Sequence, residues 1–395
     1  MSEIKRKAYS DPDREHVFGR GYADIIGGYD WDASIRLVEQ ATREDVERVL
    51  SKARANITPL TPEDFAVLIS EAAAPYINEM AALSRHYTSE RFGKTISMYI
   101  PMYVGNACTN KCVYCGFNHD NPMERTVLTL DQVEAECKAI RELAPFENLL
   151  IVAGEYPSVC GVDYLEKVLH VCRPYFHNLT IEVQPMKQPQ YEALVGAGLH
   201  GVVCFMETYH EPSYRECHPR GMKSIFEWRL NGYDRMGRAG LHKIGMGVLL
   251  GLQPDWRTDA AMLAIHLRYL QRKYWRTRYS INFPRMCPSE SGFQPRVVVS
   301  DRQLAQLTFA FRLFDHDVDI SYSTRESDDF RRHMMPLGVT SMSAGSRTEP
   351  GGYASVPDAL EQFAITDSRT PEAVADDIRA GGYEPVWKDW DSVFD

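Results

Sequence analysis

Eight short apolar runs, each followed by an amphipathic segment, constrain the fold of this chain more than any other feature. The runs are Ser97–Val104, Asn148–Ala153, Leu179–Gln184, Gly201–Met206, Lys243–Leu249, Tyr279–Phe283, Asp319–Ser323 and Thr340–Ala344. Strands that alternate with helices form parallel sheets joined by right-handed crossovers. Eight such units within about 250 residues predict an α/β fold of the (β/α)8 TIM-barrel type. An open, doubly wound sheet is the alternative, because closure leaves no mark in the sequence.

The segments outside these eight units divide the chain into three predicted parts. Residues 1–95 are predicted to form a helical N-terminal extension, in which Thr61-Pro62-Glu63-Asp64 marks a helix start with an N-cap, a first-turn proline and two acids. Residues 96–347 are predicted to form the barrel. Residues 348–395 contain a glycine-rich stretch and a helical piece near Pro371–Ala380, and are predicted to form a C-terminal extension that closes the barrel.

The composition excludes several classes of partner. The formal net charge is −10, and nucleic acids and anionic membranes require basic patches. No apolar run approaches the roughly 18–20 residues of a membrane span, and the polar start lacks a signal-peptide core. The cysteines number nine, and six of them are scattered singly, which fits a reducing compartment. We therefore expect a cytoplasmic protein that binds neither nucleic acid nor membrane.

The other three cysteines, Cys108, Cys112 and Cys115, lie in one loop directly after the first predicted strand, at C-x3-C-x2-C spacing. Iron–sulfur clusters are usually ligated fully by cysteine, so three ligands indicate a [4Fe-4S] cluster with one iron open to a small molecule. Structural zinc takes four ligands, usually from two separated pairs. Here no second pair exists, and His119 is the nearest fourth candidate. The spacing therefore favours a cluster over zinc.

Polar residues follow the predicted strands at the end of the barrel where chemistry takes place. Tyr114, between the second and third cysteines, is placed to stack on an adenine. Gly154 permits a close approach of the backbone, and the carboxylate of Glu155 after it can hold an ammonium group.

Three further residues are candidates for substrate contact. The guanidinium of Arg325, after the seventh run, suits a carboxylate because its planar fork pairs bidentately; the alternative is an ion pair with Glu326 or Asp328. Ser343, at the end of the eighth run, is placed to assist with the same carboxylate. Tyr103, at the end of the first, is placed to bond the substrate or relay a proton.

The cysteine motif, with its aromatic residue before the last cysteine, resembles that of the radical S-adenosylmethionine (SAM) superfamily. Within it, the chain is similar to the aromatic amino-acid lyases, and most of all to the tyrosine lyases of thiamine biosynthesis, the 2-iminoacetate synthases. The segments that carry this likeness, spread over nearly the whole chain, are Cys115-Gly116-Phe117-Asn118, Ile181-Glu182-Val183-Gln184-Pro185, Glu207-Thr208-Tyr209-His210, Ser323-Thr324-Arg325-Glu326-Ser327, Pro350-Gly351-Gly352-Tyr353 and Pro385-Val386-Trp387-Lys388-Asp389-Trp390-Asp391.

The resemblance implies a [4Fe-4S] cluster on the three cysteines and SAM on its open iron. It also implies cleavage of the Cα–Cβ bond of L-tyrosine to 2-iminoacetate and p-cresol, with methionine and 5′-deoxyadenosine. It assigns to SAM the residues Glu155, Glu182, Gln184, Glu207 and Arg229, and to the substrate Tyr103, Arg325 and Ser343. The implied partners are thiazole synthase, which takes the imine, and a reductant such as flavodoxin or ferredoxin.

Relatives and one other class of protein provide the alternatives. A tryptophan lyase shares the core motifs, and Met206 and Gly345 stand where the family pattern has a glutamine and a larger apolar residue. The hydrogenase-maturation lyase carries an additional C-terminal cysteine site, and no cysteine follows Cys287 here. A non-enzymatic iron–sulfur carrier or scaffold would use full cysteine ligation, and it has no need of the polar residues at the strand ends.

Overall fold

The computed structural model describes residues 31–289, 291–354 and 361–388. Predictions for residues 1–30, 355–360 and 389–395 lie outside the described residues. Before the barrel the described helices are α1 (Trp31–Glu39), α2 (Arg43–Ala55), α3 (Pro62–Leu68) and α4 (Ile77–Phe92). Helix α3 begins as predicted: Thr61 Oγ1 accepts the Asp64 N–H at 3.3 Å and the Asp64 carboxylate accepts the Thr61 N–H at 3.0 Å.

Eight strands follow: β1 (Thr95–Gly105), β2 (Asn148–Ala153), β3 (Asn178–Glu182), β4 (Gly201–Glu207), β5 (Lys243–Val248), β6 (Arg278–Asn282), β7 (Asp319–Tyr322) and β8 (Ser341–Ser343). The helices between them are α5 (Leu130–Leu143), α6 (Val162–Cys172), α7 (Gln188–Gly196), α8 (Glu211–Cys217), α9 (Phe226–Leu230), α10 (Gly232–Arg238), α11 (Trp256–Lys273), α12 (Asp301–Phe314) and α13 (Asp328–Met334).

The sheet closes on itself through β1. This strand pairs in parallel with β2 over Ile100–Gly105 and with β8 over Ser97–Tyr99, while β2 to β8 pair in chain order. The (β/α)8 barrel is therefore confirmed, and the open-sheet alternative is wrong. The match of strand positions follows from the physics of the fold: strands covered by helices read as continuous apolar runs.

Alternate residues of β1 face two different environments, as the two-residue period of a strand requires. Ile96, Met98, Ile100 and Met102 are fully buried in the main apolar core. Their neighbours Ser97, Tyr99, Pro101 and Tyr103 line the space inside the barrel. The outer face of the strand is thus stabilised by packing, and the inner face is available for a site.

The N-terminal helices pack on the outside of the barrel against α11 and α12. The rings of Phe65 and Phe311 lie 4.6 Å apart. The side-chain amide of Gln306 donates to the carbonyl groups of Leu68 and Ser70, both at 2.9 Å. These buried bonds satisfy the end of α3, so the extension is held by polar pairing as well as by apolar burial.

The C-terminal part of the chain returns to the barrel at both ends of β1. Helix α14 (Pro371–Ala380) has the bounds that the sequence predicts. Strand β9 (Glu384–Val386), which the sequence analysis did not predict, pairs in parallel with Thr95–Ser97. Among the described residues no helix is both long and apolar enough to cross a membrane.

Residues 361–367, which we call the closing segment, cross the open end of the barrel where the strands terminate. Its main chain is bonded to four separate loops, in the pairs Gly116 N–H to Gln362 O (3.2 Å), Gln362 N–H to Thr348 O (3.1 Å), Ala364 N–H to Pro288 O (3.2 Å) and Thr366 N–H to Thr324 O (2.8 Å).

Candidate active site

A cavity of about 290 Å3 occupies the interior of the barrel and opens beneath the closing segment. Strand ends and the loops that follow them form its wall. All of the site residues that the sequence analysis singled out line this cavity, except Gln184. A single space therefore brings together the cysteines, the acidic groups and the substrate-binding candidates.

The cysteine loop is held in shape by its own polar groups. Asn106 receives the Thr126 N–H on its side-chain oxygen at 2.7 Å. The guanidinium of Arg125 donates to carbonyl groups along the loop, those of Asn106 (3.0 Å), Phe117 (3.0 Å), Asn118 (2.6 Å) and Asn121 (3.2 Å). Because one side chain satisfies several carbonyl groups, the loop is preorganised.

Gly154 allows the cysteine loop to lie against the end of β2. A Cβ added at this position would lie 2.3 Å from the Ala107 carbonyl oxygen and 3.2 Å from the Cβ of Cys108. No side chain fits there without moving the backbone of the loop.

The three cysteines fit an iron–sulfur cluster better than a single metal ion. Each is a free thiol on the cavity wall, and they interact electrostatically with one another. Their all-sulfur donor set is the one that iron–sulfur clusters use. His119, the alternative zinc ligand, places Nδ1 3.1 Å from the Cys108 carbonyl oxygen.

Burial shapes the acidity of these thiols. It raises the pKa of Cys108 to about 11 and that of Cys112 well above its ordinary value, against which the positive charge of Lys223 acts. The thiols of the apo protein therefore keep their protons at neutral pH, and metal must displace them to form the thiolate ligands. The three thiols fit a cluster, because the positive charge of bound iron stabilises the thiolate form that burial disfavours.

An arrangement of alternating charges lies beside the cysteines. Glu155 forms an ion pair with Arg229 and accepts a hydrogen bond from Asn110 Nδ2 at 2.8 Å. Burial would raise the pKa of Glu155, but Arg229 and Lys223 outweigh it, so the pKa is lowered. The carboxylate is thus ionised at neutral pH and faces the cavity with part of its charge balanced.

Lys223 belongs to the same arrangement, although the sequence analysis did not identify it. Its Nζ lies 2.6 Å from Glu207 Oε1, and both side chains are 12% exposed. Glu207 has a φ of +69° at a bulge in β4, an uncommon conformation for a residue other than glycine. The strained backbone turns the carboxylate into the cavity, where Lys223 pairs with it.

Tyr114 is fixed by contacts with side chains from outside its own loop. Its hydroxyl lies 2.9 Å from His218 Nε2, and the two rings meet edge to face. Lys223 Nζ lies 5.8 Å from the ring centroid. The ring is therefore oriented in the absence of a ligand.

Arg325 enters the cavity from the end of β7. Its guanidinium carbon lies 3.3 Å from the centroid of Phe363, in the closing segment. Glu326 pairs instead with Arg285, and Asp328 with Arg332, so the alternative ion pairs for Arg325 are wrong. Ser343, at the end of β8, is buried and accepts the Thr324 N–H at 3.1 Å, which anchors the loop that carries Arg325.

Tyr103 and Glu182 also line the cavity, and both interact electrostatically with Arg325. The Tyr103 hydroxyl donates to Gln362 Oε1 at 2.8 Å. Burial raises the pKa of Glu182 to about 7, against the opposing effect of Arg325. Glu182 is the last residue of β3, two residues before the end of the predicted run.

Gln184 lies apart from this cavity. β3 ends at Glu182, so Gln184 is beyond the strand, buried, with Nε2 donating to the Cys160 carbonyl at 2.9 Å. Its role remains a prediction that rests on the family pattern alone.

The structure adds three residues to the site: Lys223, Gln362 and Phe363. Lys223 lies in a single 3-10 turn, Met222–Ser224, after α8, and the other two follow a segment whose sequence has neither strand nor helix periodicity. The one signal available for Lys223 was the abundance of polar residues in the connection between β4 and β5.

Comparisons with known proteins agree with this arrangement. The chain matches the Radical SAM superfamily over residues 102–264 and the Biotin and Thiamin Synthesis associated domain over residues 280–384. It is 45% identical over 372 residues to the 2-iminoacetate synthase of Escherichia coli (strain K12), covering 94% of this chain and 97% of that protein. It is also 45% identical to the 2-iminoacetate synthase of Salmonella typhimurium, over 92% of this chain and 95% of that protein.

The fold is also similar to that of a solved structure. The crystal structure of HydG, a maturase of the [FeFe]-hydrogenase, superposes with a TM-score of 0.86 at 30% identity, covering 92% of this chain and 81% of that one.

Proposed function

The chain belongs to the 2-iminoacetate synthase family within the radical SAM superfamily, and on that premise we propose that it cleaves the Cα–Cβ bond of L-tyrosine. The products are 2-iminoacetate and p-cresol, and one SAM is converted to methionine and 5′-deoxyadenosine. The 2-iminoacetate serves the thiazole moiety of thiamine, in keeping with the matched domain over residues 280–384.

One observation carries the proposal: a single cavity holds three cysteines of one loop together with an arginine that has no acidic partner among the described ion pairs. The cysteines provide one ligand set for a cluster, and Arg325 provides a carboxylate site in the same space. An electron carrier needs the cluster ligands but has no use for a carboxylate site.

Cys108, Cys112 and Cys115 would hold a [4Fe-4S] cluster, and SAM would bind at its remaining iron. When bound, the cluster and SAM would supply the radical chemistry that removes a hydrogen atom from the amino group of tyrosine. Gly154 keeps the backbone close to the cysteine loop, and the closing segment limits the access of water to the cavity.

Residues on the β2, β3 and β4 side would bind SAM. The ionised Glu155 offers its charge to the SAM ammonium group, and Arg229 orients that carboxylate through their ion pair. The Tyr114 ring, already oriented by His218, offers its face to the adenine. Glu182, Gln184 and Glu207 are assigned to SAM by the family pattern, and Lys223 joins them through Glu207.

Residues on the β1, β7 and β8 side would bind tyrosine. Arg325 pairs with the substrate carboxylate, and the stacked Phe363 ring keeps the guanidinium in place before the substrate arrives. Ser343 holds the Thr324 N–H and so positions the same loop. Tyr103 offers its phenol oxygen to the amino group from which the hydrogen atom is taken.

The remaining assignments follow from the family. We propose thiazole synthase as the acceptor of 2-iminoacetate, flavodoxin or ferredoxin as the electron donor, and the cytoplasm as the location. The three-part division at residues 1–95, 96–347 and 348–395 is supported by the bounds of β1 and β8 and by the return of the closing segment to the mouth.

The test is an anaerobic assay of the reconstituted protein with dithionite, SAM and L-tyrosine, in which p-cresol and 5′-deoxyadenosine are quantified by mass spectrometry. We expect both products in equal amounts. Cleavage of SAM with L-tryptophan and not with L-tyrosine would show a tryptophan lyase. A loaded cluster that never cleaves SAM would show a carrier or scaffold.

A further inference from the structure

We propose that Gln362, in the closing segment, is a positioning residue that joins the cysteine loop to the substrate side of the cavity through its side-chain amide. Its Nε2 lies 3.8 Å from Cys115 Sγ, and its Oε1 accepts the hydroxyl of Tyr103 at 2.8 Å. The inference rests on the proposed function, because it concerns a cluster held by Cys115 and a substrate held by Tyr103.

The chemistry of the two partners determines which way the amide points. A cysteine sulfur that ligates iron is a thiolate and accepts hydrogen bonds only. The NH2 group of Gln362 must therefore face Cys115, and its carbonyl oxygen must face Tyr103. The Tyr103 hydroxyl is then the donor in that bond, so its lone pairs point elsewhere and can accept a hydrogen bond from the substrate amino group.

The main chain holds Gln362 in this position independently of its side chain. Gly116, next to Cys115, donates its N–H to the Gln362 carbonyl at 3.2 Å, and the Gln362 N–H donates to Thr348 at 3.1 Å. A Cβ at Gly116 would lie 2.5 Å from the Gln362 oxygen, so the two segments are in direct contact. Substitutions of the Gln362 side chain leave both of these bonds available.

The bond to Cys115 bears on the ease of reduction of the cluster. Hydrogen bonds to the sulfurs stabilise the reduced, more negative state and raise the reduction potential. Cys115 is half-buried on the cavity wall, where a hydrogen bond from the Gln362 amide is stronger than it would be in bulk water. Gln362 thus has two effects. Its NH2 group favours reduction of the cluster, and its carbonyl oxygen orients the phenol of Tyr103.

Three variants separate the two bonds. Gln362→Leu removes both. Gln362→Glu, when ionised, is an acceptor only, so it keeps the bond from Tyr103 and loses the donor to Cys115. Tyr103→Phe removes only the phenol. The measurements are the reduction potential of the cluster, by redox titration monitored by electron paramagnetic resonance without substrate, and the KM for L-tyrosine.

We expect Gln362→Leu and Gln362→Glu to shift the reduction equilibrium toward the oxidised cluster by about tenfold, which is ~59 mV for one electron. Tyr103→Phe keeps the wild-type potential. The KM for tyrosine rises about threefold to tenfold in Gln362→Leu and Tyr103→Phe, and stays near wild type in Gln362→Glu. Gln271→Leu is the matched control: it loses a side-chain bond to Asp315 (2.6 Å) at the far end of α11, and both readouts stay unchanged.

Wild-type potentials in both Gln362 variants would overturn the inference, even if iron content or melting temperature fell, because a merely structural role predicts that result. A wild-type protein that holds a cluster and forms no p-cresol would defeat the proposed function while the potentials still decide the role of Gln362. A wild-type protein that holds no cluster would overturn both.

Discussion

The carboxylate site at Arg325 can be tested by changing the residue and the ligand together. Hydrogen bonds to charged groups contribute about 1.5–3 kcal/mol. The guanidinium of Arg325 is already stacked 3.3 Å from the Phe363 centroid, so little additional ordering is needed on binding. We therefore expect Arg325→Met to weaken L-tyrosine binding by roughly 10- to 150-fold.

The assay is anaerobic calorimetry of the reconstituted protein with SAM, titrated with L-tyrosine and with tyramine, which lacks the carboxylate. The wild-type protein prefers tyrosine, and in Arg325→Met the ratio of the two affinities falls to near one. Arg325→Lys keeps the charge without the planar fork, so its ratio of tyrosine to tyramine affinity lies between those of the wild type and Arg325→Met.

Arg285→Met is the matched control. Arg285 lies near the same loop, but it is paired with Glu326 and with Asp301 at 2.6 Å. Its loss lowers stability and changes the two affinities equally. An unchanged preference for tyrosine over tyramine in Arg325→Met would refute the assignment of Arg325 to the carboxylate.

Three further predictions concern the cluster ligands and the acidic groups. Replacing any loop cysteine by serine abolishes the iron–sulfur absorbance of the reconstituted protein, whereas Cys287→Ser, in the same cavity, retains it; the ligands are Cys108, Cys112 and Cys115. Glu182, whose pKa burial raises to about 7, contributes stability that is fully present below about pH 4.5 and lost as the pH rises through 7. Urea unfolding of apo Glu182→Gln therefore shows a smaller fall in stability over that range, by on the order of 3 kcal/mol. Lys223→Met leaves the carboxylate of Glu207 without its partner and lowers the free energy of unfolding by about 3 kcal/mol. Adding Glu207→Gln to this variant restores part of the lost stability. Additive losses of stability in that double-mutant cycle would contradict the pairing.

The sequence predicts well what local physics determines. Buried parallel strands read as apolar runs, and the eight runs correspond to β1–β8. The pairs Thr129–Gln132 and Ser300–Gln303 form the reciprocal caps at the starts of α5 and α12. Arg325 could be predicted because active sites of such barrels lie at the C-terminal ends of the strands, and Arg325 follows the seventh run.

What the sequence misses depends on contacts between distant segments. Strand β9 has three residues, among them Pro385, and shows no period that distinguishes it from a loop. Gln362 meets Tyr103 across 259 positions, and nothing near it in sequence marks that encounter. Gln184 was assigned to a strand end, but β3 stops two residues earlier and its amide turns to Cys160.

The pairing of β9 with the start of β1 has a consequence for the protein while it is being synthesised. About 290 residues separate Thr95 from Glu384. At 5–20 residues per second a ribosome takes roughly 15 to 60 s to cover that distance. Throughout this interval the first three residues of β1, Thr95–Ser97, lack their β9 partner, and an unpaired strand edge is the kind of surface that invites aggregation. We therefore expect this edge of the nascent chain to be open to wrong pairing until β9 emerges.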